Sequence, residues 1–414
     1  MIPPGPAAAQ RLEVAIVGAG PIGATLAALL TGIGLRVALI ESGPPRTPAA
    51  VPVEEDPRVL AITPASARLL RAAGAWAHIE SRALGHFREM RVWDAQGRGA
   101  VHFNSADVGE PTLGFIITTQ LLENALAQVL QHRPLLTWHR PAELEGFKVE
   151  PDHVCIRLRN GTGLKAALVV GADGAQSTVR ALAGIRQDIR DYRQCAVVCT
   201  VMTERPHGDT ARQRFLATGP LAFLPLADPH RSSIVWSTTR DEARRLGDMP
   251  EGLFRSTLEG AFESALGGID RCGPRARFPL QRAHAERYAA ARIALVGDAA
   301  HRIHPLAGQG ANLGLMDAAA LAQVIHGACA RAQDPGALRV LRRYERWRKG
   351  ENLAMAWAMD AFKELFGTSL LPVRLARNLG MDLSDRLPPV KRWIMRRAMG
   401  LSGDLPRIAV QGRW

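Results

Sequence analysis

Residues 12–41 read as a strand, LEVAIV (12–17), a glycine-rich turn, GAGPIG (18–23), a helical stretch starting at ATLAALLTGIG, and a second strand, RVALIE, that ends on Glu41. A glycine pattern of this kind carries structural meaning only between a strand and a helix, and here both flank it. Gly18 permits the tight turn, Gly20 lets the backbone approach a pyrophosphate, and Gly23 lets helix and strand pack closely, with Pro21 and Ile22 between them. The start of the following helix offers free N–H groups and the positive end of its dipole to a diphosphate. Glu41 is placed to bind adenosine ribose hydroxyls, and its charge disfavours a 2′-phosphate. The unit is therefore a Rossmann-like dinucleotide site for FAD or NAD.

The 414 residues leave room for two or three domains and a large core, since 47% of the chain is hydrophobic. The five cysteines are an odd number with no C-x-x-C spacing, which fits a reducing compartment. The N-terminus MIPPGPAAAQR lacks the basic and apolar regions of a signal peptide, and the apolar stretch 24–35 is too short to span a bilayer. A cytoplasmic location is expected. A net charge of +13 favours anionic partners, namely phosphate-bearing cofactors or a membrane surface. Nucleic acid is not expected as a partner, because no nucleic-acid-binding motif is present and aromatic residues are few.

Further along, Thr63 caps a short helix that opens with Pro64, and Arg58 lies in the turn before it. EMRVWDA and GAVHFN form a hairpin, and TTQLLENALAQVLQ has helical spacing. A strand hairpin with an NG turn at Asn160 and Gly161 runs through buried residues into GADGAQSTVR (171–180). Between Cys195 and Thr239 several strands predict an antiparallel sheet inserted between two α/β pieces. RIALVGD returns as a buried strand, and Gly308 and Gly310 loosen the backbone before a helix that begins near Ala311 and Asn312. The remainder reads as helical, with a basic tail, VKRWIMRRAMGL.

Three separated stretches, GAGPIG, GADGAQSTVR and LVGDAAHRIHPLAGQGANLG, resemble the three FAD motifs of the single-component flavin aromatic hydroxylases, the group that includes p-hydroxybenzoate hydroxylase. Within that group GPLAFLPLAD, SSIVWS, DPRVLAITPAS and RRAMGLSGDLPRIA resemble the ubiquinone-biosynthesis hydroxylases. The resemblance implies an α/β fold: a Rossmann-like FAD-binding domain built from 1–83, 115–187 and 285–335, an inserted antiparallel-sheet substrate domain from 84–114 and 188–284, and a helical C-terminal region, 336–414.

It also implies roles residue by residue. Gly18, Gly20, Pro21, Ile22, Gly23 and Glu41 match the site for the adenosine diphosphate of FAD. Arg58 matches an arginine that reaches the flavin's phosphates or ring edge. Asp173 and Gly174 match a joint element for FAD and pyridine nucleotide, and Arg180 closes the same turn. Asp298 matches the aspartate on the ribityl chain, and Pro305, Gly308, Gln309, Gly310, Ala311 and Asn312 match the loop under the isoalloxazine ring. Thr119 stands where relatives often carry Asn, Gln or Arg, so Gln120 is the substitute flavin contact. His301 and His304 have no third ligand nearby, and no metal is expected.

The implied activity is hydroxylation of the aromatic ring of a polyprenylated ubiquinone precursor through a flavin C4a-hydroperoxide, with molecular oxygen as co-substrate and NAD(P)H or another electron donor. Such chemistry needs a dry, apolar site. Phe215, Phe223, Leu224, Pro225 and Trp236 on the inserted sheet are the candidates for its roof; no catalytic base declares itself. A polyprenyl tail and a basic tail that mixes Lys391, Arg392, Arg396 and Arg397 with Trp393 and Ile394 make peripheral contact with the inner membrane an expectation, beside packing on the body or on other ubiquinone-biosynthesis proteins. A flavin-dependent polyprenyl reductase and a non-catalytic flavoprotein subunit of a ubiquinone-biosynthesis assembly are the alternatives.

Overall fold

The computed structural model describes residues 12–44, 56–79, 83–304, 308–368 and 370–413. Its first sheet is organised by the strand Leu12–Val17, whose inner residues Val14, Ala15 and Ile16 are fully buried. That strand pairs in parallel with Val37–Ile40 on one side and with Gly163–Gly171 on the other. Leu136–His139 and Ile293–Leu295 extend the parallel set outward. Successive crossovers therefore leave the first strand in opposite directions, and a crevice opens at the carboxyl ends of the strands, where α/β sheets bind ligands. Gly18 N donates to Ile40 O, Ala172 N to Val17 O and Val296 N to Gly171 O, so the chain leaves three adjacent strands at one level.

The first helix, Pro21–Gly32, starts three residues earlier than its apolar pattern suggests, because Pro21 occupies the first helical position with φ already set. Gln309–Cys329 likewise begins two residues early, behind Gly308 in a left-handed conformation.

A second sheet, of nine strands, is mostly antiparallel. Its main strands are Gln187–Thr203, Arg231–Thr239, Gly219–Pro225, Thr210–Leu216 and Ala276–Ala285. The hairpin Glu89–Asp94 and Ala100–Asn104 joins it through a parallel pairing with Thr210–Leu216. Helices Arg240–Asp248 and Glu251–Ala261 cover one face over Val197, Leu221, Phe223, Ile234 and Trp236. A three-stranded sheet, Val59–Ile62, Gly114–Thr118 and Gly85–Phe87, bridges toward the first.

The C-terminal region is helical, with Leu338–Gly367, Leu371–Arg386, Pro388–Ala398 and Arg407–Gln411. Helix Pro388–Ala398 packs Met395, together with the following Met399, against Val108 and Leu113. Its charges are largely spoken for: Lys391 lies between Asp107 at 3.4 Å and Asp385 at 3.2 Å, and Arg397 bonds to Glu351. No helix among the described residues is long and apolar enough to cross a membrane.

Candidate active site

The three glycine-bearing turns meet in the crevice. A Cβ on Gly18, which has φ of 101°, would stand 2.4 Å from Ala172 O, and one on Gly23 would stand 2.0 Å from Gly18 O. These two glycines are needed for packing between the first and second turns. Gly20 differs: nothing lies within 4 Å of where its Cβ would be, and it caps the first helix. Open space at a helix N-terminus, walled by close-packed glycine backbone, fits a pyrophosphate. Glu41 arches over the same turn, its Oε2 accepting from Ala19 N at 2.7 Å and its Oε1 from Gly43 N at 2.9 Å.

In the second turn Asp173 faces inward. Its carboxylate accepts from Ser177 Oγ at 2.5 Å and from Val179 N at 3.1 Å, which fixes the turn into helix Thr178–Leu182. Gly174 has φ of 77°. Arg180 donates to Ala175 O at 2.8 Å and to Ala299 O at 2.9 Å, so it closes its own turn and ties it to the third. The turn is held by its own side chains.

The third turn places Asp298 on the crevice. Its carboxylate accepts no hydrogen bond from a described residue, and although the side chain is open to solvent on one side, the surrounding protein pushes its pKa above the ordinary range against the pull of His301 and Arg302. Such an acceptor fits donors from a polyhydroxy chain. Beneath it Asp317 is fully buried and bonds His301, Arg348 Nε at 2.9 Å, Asn352 Nδ2 at 3.0 Å and Gly297 N at 3.2 Å. Burial opposes its ionisation, but His301, Arg348 and Asn352 outweigh that and hold the carboxyl below the ordinary range. Sequence reasoning passed over Asp317, although an acid inside the apolar run GLMDAAALA was a signal. His301 is thus committed to Asp317, while His304 meets Gln194 at 3.3 Å and the ring of Tyr192. No cluster of three potential metal ligands exists among the described residues.

Arg58 and Gln120 come together through Asp56, a buried acid that the sequence reading did not single out. Its Oδ1 accepts from Arg58 N and Nε, and its Oδ2 from Gln120 N. Asn312 is buried and fully engaged, donating to Ala61 O and Gly308 O and accepting from Thr63 N, so it clamps the third turn to the small sheet. Gly310 faces open space and Ala311 is half-buried beside it. Ile22 packs against Gly297 and Gly314. Pro305 lies outside the described residues.

A cavity of about 250 Å³ lies between Gly308 and Gln309 on one side and the uncovered face of the second sheet on the other. The sheet contributes Met90, Ala211, Gln213, Pro220, Ala222, Leu224, Val235 and Ser237; Phe87, Phe103, Leu113 and Ile116 form a second wall. Ile394, Met395, Ala398 and Met399 close it. No lining residue among the described ones is ionisable.

Of the five expected roof residues only Leu224 lines this cavity. Successive residues of a strand face opposite ways. Phe223 and Trp236 consequently lie in the core under the two helices, Phe223 stacked on Phe262 at 3.8 Å. Pro225 shares the parity of Phe223, and Phe215 stacks on Phe366 at 3.7 Å in a core shared with helix Leu338–Gly367. None of these four lines the cavity: for Phe223, Pro225 and Trp236 the apolar runs were read without their two faces, whereas Phe215 shares the face of Gln213 and is covered by helix Leu338–Gly367. In the basic tail, expected either on a membrane or packed on the body, Ile394 and Met395 line the cavity.

Comparison with known proteins agrees with this geometry. Residues 11–356 match the FAD binding domain family. The chain is 36% identical to 3-demethoxyubiquinol 3-hydroxylase of Escherichia coli K12 over 95% of this chain and 99% of that protein. It is 39% identical to ubiquinone hydroxylase UbiL of Rhodospirillum rubrum over 96% and 92%. Among solved structures, PqsL of Pseudomonas aeruginosa, a probable FAD-dependent monooxygenase, superposes with a TM-score of 0.72 at 26% identity, covering 86% of this chain and 97% of that one. The p-nitrophenol 4-monooxygenase of Pseudomonas putida shares the fold, with a TM-score of 0.75 at 21% identity over 94% and 98%. The cofactor of the crevice is FAD. With its three glycine turns, inserted sheet and helical end, the chain belongs to the FAD binding domain family of flavin-dependent aromatic-ring monooxygenases.

Proposed function

We propose that the protein hydroxylates the aromatic ring of a polyprenylated ubiquinone precursor. The observation that carries the reading is the cavity between the third turn and the inserted sheet, which is mostly apolar and, among the described residues, free of ionisable side chains. The relatives named as ubiquinone hydroxylases match over 95% and 96% of the chain. FAD, when bound, supplies two electrons from NAD(P)H and delivers one atom of molecular oxygen to the ring, the other leaving as water.

The chain's residues do the rest. Gly20 and the first helix bind the pyrophosphate, Glu41 the adenosine ribose and Asp298 the ribityl hydroxyls. Gly308, Gly310 and Ala311 let backbone approach the flavin ring, while Asn312, Asp173, Arg180 and Asp317 hold the turns in place. Phe87, Phe103, Leu113, Ile116 and Leu224 keep water from the reacting carbon. The tail leaves beside helix Pro388–Ala398, whose inner side lines the cavity and whose outer side exposes Trp393 and Val390. Exposed Leu379, Leu383 and Leu387 continue that apolar strip beside Arg386, Arg392 and Arg396, a composition suited to the surface of an anionic bilayer.

The test is oxygen uptake by the FAD-loaded protein with NADH and a short-tailed prenylphenol. Uptake stimulated several-fold by the phenol, with a hydroxylated product, is expected; NADH oxidation indifferent to the phenol would refute the reading.

A further inference from the structure

Among the described residues the cavity is apolar except at four places. Thr63 is occupied in capping the next helix, its Oγ1 accepting from Ser66 N at 3.3 Å. Gln309 donates to Ala398 O at 3.2 Å. The other two, Gln213 and Ser237, belong to the second sheet and are 7% and 2% exposed. Neither side chain bonds to any described residue, and buried polar groups without partners are rare in folded proteins. An amide has two donors and an acceptor to satisfy, so a buried one facing an apolar cavity without partners marks the place of a ligand oxygen.

Strand register fixes where these groups stand. Gln213 pairs with Ala222, and Ala222 with Val235; Ser237 lies two residues further along the same face. The two Cα atoms are thus roughly 12 Å apart, from strand spacing and rise. The small side chains of Ala211 and Ala222 flank Gln213 and leave its amide room to reach inward.

Resting on the monooxygenase reading above, we propose that Gln213 is the substrate-anchoring residue: its amide oxygen accepts from a phenolic hydroxyl on the ring, and Ser237 meets a second oxygen substituent on the far side. The bond grows stronger as the ring gives electrons to the incoming oxygen and its hydroxyl proton becomes more acidic, so a neutral amide oxygen does what a carboxylate would do at the cost of a wetter cavity. The site therefore selects oxygenated rings over hydrocarbon rings of the same shape.

The experiment is a binding cycle on FAD-loaded protein. Perturbation of the flavin spectrum gives the affinity of 4-nonylphenol and of nonylbenzene for wild type and for Gln213→Met, a variant of similar volume without the amide. Wild type should prefer the phenol by about tenfold and the variant should lose most of that preference, with nonylbenzene bound equally by both. The variant's kcat/KM should fall about tenfold or more, with a larger share of oxygen released as hydrogen peroxide. If Gln213→Met does not retain FAD, Gln213→Asn is read in the same cycle. An undiminished preference for phenol overturns the proposal. Its failure differs from failure of the function: wild type would still hydroxylate phenols in the first case and would hydroxylate none in the second.

Discussion

The cofactor crevice and the substrate cavity share the wall formed by Gly308 and Gln309, yet they are built on opposite plans. The crevice is backbone: Gly18, Ala172 and Val296 leave adjacent parallel strands at one level, and side chains such as Asp173 and Asn312 serve to fix turns. The cavity is side chains: its walls come from the small sheet, one face of the second sheet and helix Pro388–Ala398, more than 300 residues apart in sequence. Backbone sites need a few invariable conformations, while side-chain cavities need only size and polarity at positions that the tertiary fold brings together. The first plan tolerates almost no change, and the second should trade one substrate for another with modest loss.

The largest expected effect separates two glycines of one turn. Gly23→Ala puts a methyl group 2.0 Å from Gly18 O and should cost more than about 4 kcal/mol, giving protein that is colourless and unfolded in a denaturant titration. Gly20→Ala meets no protein atom, so its apo form should keep the wild-type melting temperature while FAD affinity falls tenfold or more. Equal melting temperatures for the two variants would contradict the division.

Next come adjacent residues on opposite faces of the strand Gly219–Pro225. Phe223→Ala opens the helix-covered core and should cost about 3–5 kcal/mol of stability with KM for the phenol unchanged. Leu224→Ala should cost under about 1.5 kcal/mol yet raise KM and the hydrogen peroxide yield, since it widens the cavity. Denaturant midpoints and steady-state kinetics on both variants decide it.

The smallest effect lies at the seam between the two regions. Burial pushes His284 and His304 down to about 4, in His284 with added repulsion from His301 and Lys349. An unfolded histidine titrates near 6.5, so between these values the unfolded chain binds protons that the folded chain refuses. Stability should be fully present above about pH 6.5 and fall below it, by at most about 1.4 kcal/mol per pH unit for each histidine. Urea midpoints at pH 7 and 5.5 measure the loss, and a flat profile would place these rings in contact with water.

The same contrast explains what the sequence could say. GAGPIG followed by Glu41 is legible because strand, turn and helix are contiguous, and their conformation depends on residues within a few positions. Asp56, in the polar run EEDP, looks like a solvated acid, and only the fold carries Arg58 and Gln120 to it. The strand GPLAFLP shows alternation, but alternation defines two faces without saying which is capped by helices and which borders the flavin turn. Gln213 was invisible for the same reason: in QRFL a glutamine is an ordinary strand residue until Ala222, Gly308 and Met395 surround the space before it.

The central claim is that these two differently built regions act on one ring, with oxygen delivered from the crevice side into the cavity. The most direct measurement is the mass of the product formed by FAD-loaded protein from a prenylphenol and NADH under ¹⁸O-labelled dioxygen. One labelled oxygen atom in the ring of the product is the predicted result. An unlabelled hydroxyl, or labelled hydrogen peroxide with the phenol recovered unchanged, would contradict it.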